Sequence, residues 1–394
     1  MNDIKNKESP SQSAGLGSHE KLKVFSVLPN LCIEKPIETK FVGLLPDTDP
    51  RLIEIAKRDP AVFALINGFS DRSGVKCNVS AMVIHDDAPD SVKNVNALVS
   101  FRNIFAISCV LYGWQYTVGS LNAHGTLYSD YFDFYPFGPT RDGKDLLHMG
   151  HALNSFDSPD GFRGQTYPDI LITDSSLRPK PNEIIFKFLS KAWIERFEKD
   201  RKNWCSNKLF RSLAIAYHAC SVPKKNSLLF YDFGVSVALW VSAFEILVHP
   251  GKNGKSDLPA VLSLLSKAKF KDRVLERRRK ITYRKQTRSG NAPEYLYWRL
   301  YEARNDFLHG NPVTPNDALF KSPKHQGRVT LLNHLAPLLY QVALLSYFDW
   351  FAKSPKTKKL NVSLVRFHVP RAISLVPLQN ALKVILTGKE RRLL

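Results

Sequence analysis

The stretch that decides the fold runs from Glu294 to Pro312 and reads EYLYWRLYEARNDFLHGNP. Its apolar side chains recur at intervals of three and four residues, the spacing that aligns side chains along one face of an α-helix. That apolar face consists of Leu296, Leu300, Ala303 and Phe307. Pro293 precedes the stretch, and Gly310 follows its last apolar residues, which is the usual order of helix start and stop signals. The sequence therefore predicts an amphipathic core helix that ends near His309.

The last turn of this predicted helix carries four side chains with complementary chemistry. They are a permanent cation, an amide, a carboxylate and an imidazole, from Arg304, Asn305, Asp306 and His309 respectively. On an ideal helix Asn305 and His309 share a face, whereas Arg304 and His309 lie about 140° apart. Such a set can perform phosphate chemistry, and a second copy of the helix would bring Arg304 of one chain near His309 of the other. A homodimer with a composite active site is therefore expected.

The segment from Arg304 to His309, RNDFLH, resembles the R-x(4–6)-H motif of the HEPN superfamily of helical-bundle proteins, in which a polar residue follows the Arg. It is most similar to the ApeA-like members of bacterial anti-phage defence and abortive infection. The resemblance covers roughly residues 182–351. It implies a metal-independent endoribonuclease or toxin that acts as a dimer and uses no cofactor.

The resemblance also implies a role for each residue of the motif. His309 is the expected general acid and base, and Arg304 is the cation that stabilises the developing charge. Asn305 is expected to orient a phosphate oxygen or the imidazole of the second chain, and Asp306 or Glu245 to hold an imidazole tautomer. The 2′-OH of RNA would attack the adjacent phosphate, so the expected products carry 2′,3′-cyclic phosphate and 5′-OH ends.

The R-x(4–6)-H pattern occurs four times in the chain, and local context separates the four. The segment 141–148 lies in a Gly- and Pro-rich loop, 211–218 has Ser after its Arg, and 328–334 has Val after its Arg. Only Arg304 is followed by Asn, preceded by an amphipathic helix and closed by a Gly and Pro stop. The alternative is a structural role, in which His309 offsets the negative end of the helix dipole.

The chain is strongly basic, with a formal net charge of +20 over 394 residues and a pI near 9.7. Residues 251–300 hold fourteen Lys and Arg against four Asp and Glu, and residues 351–394 hold ten against one. Such charge indicates a polyanionic partner, either nucleic acid or an anionic membrane surface. The basic character lies in the half of the chain that carries the motif.

The densest basic run extends from residue 267 to 288 and interleaves cations with the rings of Phe270 and Tyr283. This pattern favours an electrostatic groove for single-stranded RNA with rings available for base stacking, although a solvated helix-loop face is the plainer interpretation. The candidate RNA-binding residues are Lys267, Lys269, Lys271, Arg273, Arg277, Arg278, Arg279, Lys280, Arg284, Lys285 and Arg288.

A cytoplasmic protein is expected because its five cysteines are scattered and form no C-x-x-C pair. The first twenty residues lack the apolar core of a signal peptide. The apolar segment 227–249 is interrupted by Asp232 and Glu245, so it is interpreted as a bundle helix and no membrane attachment is expected. His148 and His151 are spaced for a metal, but no third ligand is near in sequence, and no metal site is predicted.

The predicted fold class is mainly α, with four parts. Residues 1–20 form a tail, and 21–176 form a mixed α/β domain that senses a phage-derived trigger or regulates the bundle. Residues 182–351 form a HEPN-like up-and-down helical bundle, and 352–394 a basic extension with a strand pattern at 362–369. Helices are predicted over 51–69, 95–113, 208–219, 231–248, 258–270 and 330–351. A further helix is predicted to begin with Asn182 as its N-cap.

A second class of function remains open. In it the chain is a non-catalytic basic module that binds RNA or protein through the bundle, with the motif as a structural cap. DNA binding is a third interpretation, but the sequence has no helix-turn-helix or zinc module.

Overall fold

The computed structural model describes residues 21–28, 33–67, 79–117, 137–139, 146–148, 155–156, 181–220, 230–252, 254–321, 329–352 and 375–387. The predicted tail at 1–20, the predicted strand at 362–369 and His151 lie outside these ranges.

An antiparallel sheet in the first part of the chain has the strand order β2-β3-β4-β1-β5-β6-β7. Its strands are β1 (Leu22–Leu28), β2 (Ile37–Glu38), β3 (Val42–Pro46), β4 (Ser80–His85), β5 (Phe137–Pro139), β6 (Leu146–His148) and β7 (Ser155–Phe156). Successive side chains of a strand point to opposite faces, so Leu44 joins the main core whereas Leu45 joins a smaller one. The sheet therefore separates two hydrophobic clusters.

The smaller cluster is covered by two short helices, α1 (Pro50–Arg58) and α2 (Pro60–Asn67). The sequence predicted one helix over 51–69, and this prediction is wrong at Asp59. The proline at position 60 disfavours helical geometry in the preceding residue, and Asp59 accordingly has φ −120° and ψ 104°. Its carboxylate instead accepts a hydrogen bond from Ala61 N at 2.9 Å and starts α2.

Helix α3 (Val95–Thr117) confirms the predicted helix over 95–113 and is a core helix. Its residues 95–115 are long and apolar enough to cross a membrane by length and composition, but 72% of that span is buried inside the protein. It contacts helices from beyond residue 182: Trp193 Nε1 donates to Ala97 O at 2.8 Å, and Gln115 Nε2 donates to Gln341 Oε1 at 2.8 Å. The first half of the chain therefore shares the main core with the second half.

The second half is mostly helical. Its helices are α4 (Glu183–Trp193), α5 (Trp204–Cys220), α6 (Phe230–Val248), α7 (Leu258–Leu265), α8 (Arg273–Glu276), α9 (Ala292–Leu308), α10 (Leu332–Tyr347) and α11 (Val376–Thr387). Asn182 caps α4 as predicted, because its Oδ1 accepts a hydrogen bond from Ile185 N at 3.1 Å. The mainly α fold class is confirmed, while the helix predicted over 258–270 ends five residues early.

Two antiparallel hairpins interrupt these helices: β8 (Arg279–Tyr283) with β9 (Gln286–Gly290), and β10 (Leu319–Lys321) with β11 (Val329–Leu331). The β8–β9 hairpin occupies the basic run that the sequence assigned to a groove or a helix-loop face. It leads directly into α9, the motif helix.

Candidate active site

Helix α9 is capped at both ends. Asn291 Oδ1 accepts from Glu294 N at 3.1 Å while Glu294 Oε2 accepts from Asn291 N at 2.8 Å, which is a reciprocal capping box. At the other end His309 is the C-cap, and its backbone N–H donates to Asn305 O at 2.9 Å. Gly310 follows with φ +71°, a conformation that suits glycine. The predicted end near His309 is confirmed, and the helix starts two residues before Glu294.

Helix α6 lies antiparallel to α9 and forms the other wall of the site. The rings of Phe233 and Phe307 lie 5.6 Å apart, and those of Phe244 and Tyr297 lie 4.7 Å apart. Gly234 allows this close approach, because a Cβ at that position would overlap the ring of Phe307. The pair of helices thereby holds the motif turn beside the first half of α6.

Arg304 is half-buried and oriented by its neighbour in sequence. Its Nη1 donates to Asn305 Oδ1 at 2.9 Å, and its Cζ lies 5.9 Å from the centroid of the Tyr301 ring. Its Nε is buried and makes no hydrogen bond within the described ranges. Because a guanidinium carries five N–H donors and Asn305 occupies Nη1, Arg304 retains capacity to bind an oxyanion.

The half-buried Glu245 and the buried Tyr297 lie within electrostatic range of Arg304. Burial raises the pKa of Glu245, and the positive charge of Arg304 opposes that rise. Burial also raises the pKa of Tyr297, and the nearby Glu245 raises it further. Tyr297 is fully buried, and its hydroxyl has no hydrogen-bond partner among the described residues. Glu245 therefore faces the cation of the motif.

His309 is exposed, and its backbone N–H bonds to Asn305 O. Asp306 Oδ1 accepts a hydrogen bond from Asn311 Nδ2 at 2.9 Å. In the part of the chain that the structure describes, neither Asp306 nor Glu245 hydrogen-bonds to His309, so neither is seen in the tautomer-holding role. Among the same residues, Arg304 and His309 likewise form no hydrogen bond within one chain, as their angular separation on the helix predicted.

The other occurrences of the R-x(4–6)-H pattern have different surroundings. His334 packs its ring against Trp114 with centroids 4.6 Å apart, so it contributes to packing. Arg211 and His218 are exposed on α5. The buried Arg102 donates to Asn103 Oδ1 at 3.0 Å and lies 4.7 Å from the Tyr217 ring centroid. It repeats the Arg-Asn contact without a following His.

The eleven predicted RNA-binding cations divide into two groups. Four have partners within the protein: Arg278 and Arg288 pair with Glu294, Lys267 lies 3.5 Å from Asp349, and Arg279 donates to the carbonyl oxygens of Arg277 and Val274. Seven are exposed and form no ion pair within the described residues. These seven are Lys269, Lys271, Arg273, Arg277, Lys280, Arg284 and Lys285.

The two rings predicted to stack on bases differ in their exposure. Phe270 is 7% exposed and packs against Phe351, so its predicted role in base stacking is wrong. Its backbone N–H is also tied to Glu276 Oε1 at 2.6 Å. Tyr283 remains half-buried, with its ring 6.1 Å from that of Tyr301. Tyr301 and Trp298 of α9, which the sequence did not single out, add aromatic surface beside the hairpin.

Glu294 is the residue that sequence reasoning missed although a signal was present. Its side chain is 1% exposed and forms ion pairs with both Arg278 and Arg288. It also completes the capping box. The signal is the N-x-x-E spacing of Asn291 and Glu294 before an apolar run. Glu294 therefore anchors the hairpin to the start of the motif helix.

No group of three or more His, Cys, Asp and Glu side chains is placed to hold a metal ion among the described residues. Comparison with family models, with curated proteins and with solved structures finds no match. The resemblance to the HEPN motif therefore rests on the residues of α9 alone.

Proposed function

We propose that the chain is a metal-independent endoribonuclease of the HEPN type, acting in the cytoplasm in anti-phage defence or as a toxin. The observation that carries the proposal is the turn at the end of α9. There Asn305 orients the half-buried Arg304, His309 is exposed to substrate, and the basic β8–β9 hairpin adjoins the same helix. A cation for the phosphate, an imidazole for proton transfer and a cationic surface for the RNA backbone are the groups that RNA cleavage requires.

The chemistry uses the substrate as its own nucleophile. His309 accepts the proton of the 2′-OH, O2′ bonds to the adjacent phosphorus, and the bond from phosphorus to O5′ breaks. A protonated imidazole, from the second chain of the dimer, returns a proton to the O5′ leaving group. Arg304 stabilises the charge on the pentacoordinate phosphate, and Asn305 holds the guanidinium in place.

Two exposed apolar side chains on the helices of the motif support a homodimer as the active form. Val235 of α6 is 52% exposed and Leu308 of α9 is 55% exposed, and the Gly234–Phe307 contact brings their two helices together. A second copy that covers these side chains would lie next to His309. It would thus supply the second imidazole where the chemistry needs it.

Val235→Asp is expected to weaken dimerisation about 30-fold or more, because it puts a carboxylate into the apolar centre of the interface. Cleavage should fall with the loss of the dimer, while the monomer keeps its fold because Val235 is exposed. Sedimentation or light scattering measures the mass. Val95→Asp is the matched control, since Val95 is also 52% exposed but lies at the start of α3. A wild type that is monomeric, or two variants that dimerise equally, would contradict the homodimer.

The test of the proposed reaction is end-mapping of RNA cut by the purified full chain. Single-stranded RNA is incubated with the protein with and without a chelator, and the fragment ends are characterised by enzymatic labelling. Cleavage that resists the chelator and leaves 2′,3′-cyclic phosphate and 5′-OH ends is expected. Fragments with 3′-OH and 5′-phosphate ends would contradict the mechanism. RNA that is bound but never cut would favour the non-catalytic module.

The region before α4 is proposed to restrain the nuclease until a phage-derived trigger arrives. The shared core supports a direct route for such control. Ser91 Oγ donates to Phe197 O at 2.6 Å, and α3 packs against α4 and α10. A change at the sheet therefore reaches the helices through packed contacts.

A further inference from the structure

The β8–β9 hairpin runs along α9 in a fixed register. At its base, Arg278 and Arg288 pair with Glu294 in the first turn of the helix. Further along, Thr282 O accepts a hydrogen bond from Trp298 Nε1 at 3.0 Å. This register extends the hairpin toward the end of α9 that carries the motif.

The tip of the hairpin adjoins the motif turn. The last residue of β8, Tyr283, contacts Tyr301 with ring centroids 6.1 Å apart, and Arg304 Cζ lies 5.9 Å from the centroid of the same Tyr301 ring. Tyr301 and Arg304 are three residues apart, which is about 4.5 Å along a helix axis. The two residues of the tip, Arg284 and Lys285, are therefore brought close to Arg304.

Both tip residues adopt a backbone conformation that long side chains rarely take. Arg284 has φ +46° and Lys285 has φ +64°, the pair of positive values that a two-residue type I′ turn requires. Asn-Gly is the sequence that favours this turn, whereas Arg-Lys strains it. Both side chains are exposed and form no ion pair within the described ranges. The tip thus presents two cations at a fixed point, at a cost in local stability.

The surface between the tip and α9 is aromatic. Tyr283, Trp298 and Tyr301 are half-buried, and Arg284 lies 5.1 Å from the Tyr283 ring centroid while Arg299 lies 5.8 Å from the Trp298 ring centroid. Rings beside cations bind unpaired bases by stacking and their phosphates by charge. Paired bases in a duplex would leave the rings without a stacking partner. The surface therefore fits a single strand.

We propose that the β8–β9 hairpin guides single-stranded RNA into the active site, with Arg284 and Lys285 binding the phosphates next to the one that is cut. Tyr283, Trp298 and Tyr301 support the neighbouring unpaired bases. This inference rests on the proposed function for its site of cleavage. Its core, the binding of single-stranded RNA by the hairpin tip, is measured without cleavage.

The decisive variant is Arg284→Asn together with Lys285→Gly, because it removes both charges while installing the residues that the turn prefers. Binding is measured by fluorescence anisotropy with an unstructured RNA of twenty nucleotides, using the full chain that carries His309→Ala so that no RNA is cut. We expect affinity to fall at least tenfold and the slope of log K against log salt to shrink by about 1.4. The melting temperature should stay equal or rise.

Arg201→Gln with Lys202→Gln is the matched control, since it removes an exposed Arg-Lys pair from the loop before α5. Its affinity should remain within twofold of the parent. The proposed guiding role of the hairpin is overturned if the tip variant also binds within twofold of the parent. It is also overturned if a duplex of the same length binds as tightly as the single strand. If instead the wild type never cuts RNA but the tip variant still loses binding, the proposed nuclease fails and the RNA-binding tip stands.

Discussion

His309→Ala and Arg304→Ala are each expected to lower the rate of RNA cleavage at least about 100-fold. General acid–base catalysis and charge stabilisation of the transition state each contribute about this much or more. The His309→Ala variant should keep its fold, because His309 is exposed and its bond to Asn305 O comes from the backbone N–H. The measurement is single-turnover cleavage of a labelled RNA, with the melting temperature of each variant alongside.

His218→Ala provides the matched control for this prediction. His218 is exposed on α5 and follows Arg211 at motif-like spacing, but Ser212, not Asn, follows that Arg. It should cleave RNA at the wild-type rate. Equal activity of all three variants and the wild type would instead mean that the α9 motif is a structural cap.

Mixing the two inactive variants tests whether the site is shared between chains. A heterodimer of one Arg304→Ala chain and one His309→Ala chain contains one site with the guanidinium and one imidazole if each site combines Arg304 of one chain with His309 of the other. This site lacks the second imidazole as proton donor, so only partial recovery of cleavage on mixing is expected. Activity of the mixture no higher than that of the two variants alone would contradict the shared site.

Glu294→Ala is expected to lower the free energy of unfolding by about 2 kcal/mol. The substitution leaves the buried N–H of Asn291 without its acceptor, at a cost of about 1–3 kcal/mol, while Asn291 Oδ1 still caps the backbone N–H of residue 294. Arg278 and Arg288 are partly exposed and regain water, so their unpaired charge adds little. Equilibrium unfolding in urea measures the change.

Glu302→Ala is the control on the same helix. Glu302 lies 3.5 Å from Arg299, and both side chains are about 40% exposed, so its loss should cost no more than about 1 kcal/mol. A similar loss for the two variants would mean that Glu294 does not act as the anchor. RNA binding should fall with Glu294→Ala alone, because the released hairpin no longer holds its tip beside Arg304.

The parts of the fold that follow local rules could be predicted from the sequence. The end of α9 at His309 and the cap at Asn182 were predicted because capping depends on a few adjacent residues. The β8–β9 hairpin was missed because its turn is Arg-Lys, which lacks the Asn-Gly or Asp-Gly signal. Its stability comes from Glu294, a contact outside the hairpin itself.

The candidate site likewise contains residues that could be predicted from the sequence and residues that could not. The motif residues of α9 could be chosen from their spacing, whereas the burial of Phe270 could not, because it depends on packing against Phe351, more than eighty residues away. The place of Glu245 beside Arg304 likewise depends on the antiparallel contact of α6 with α9. Contacts between distant segments decide which members of a basic or polar run reach the site.

The burial of α3 limits how this protein can be taken apart and recombined. Phe101 packs against Trp193 and Phe105 against Phe186, so residues before 117 form one wall of the core that residues after 182 complete. A cut between them would leave both pieces with an open apolar face. The two halves therefore cannot be exchanged independently between proteins, either in the laboratory or in evolution.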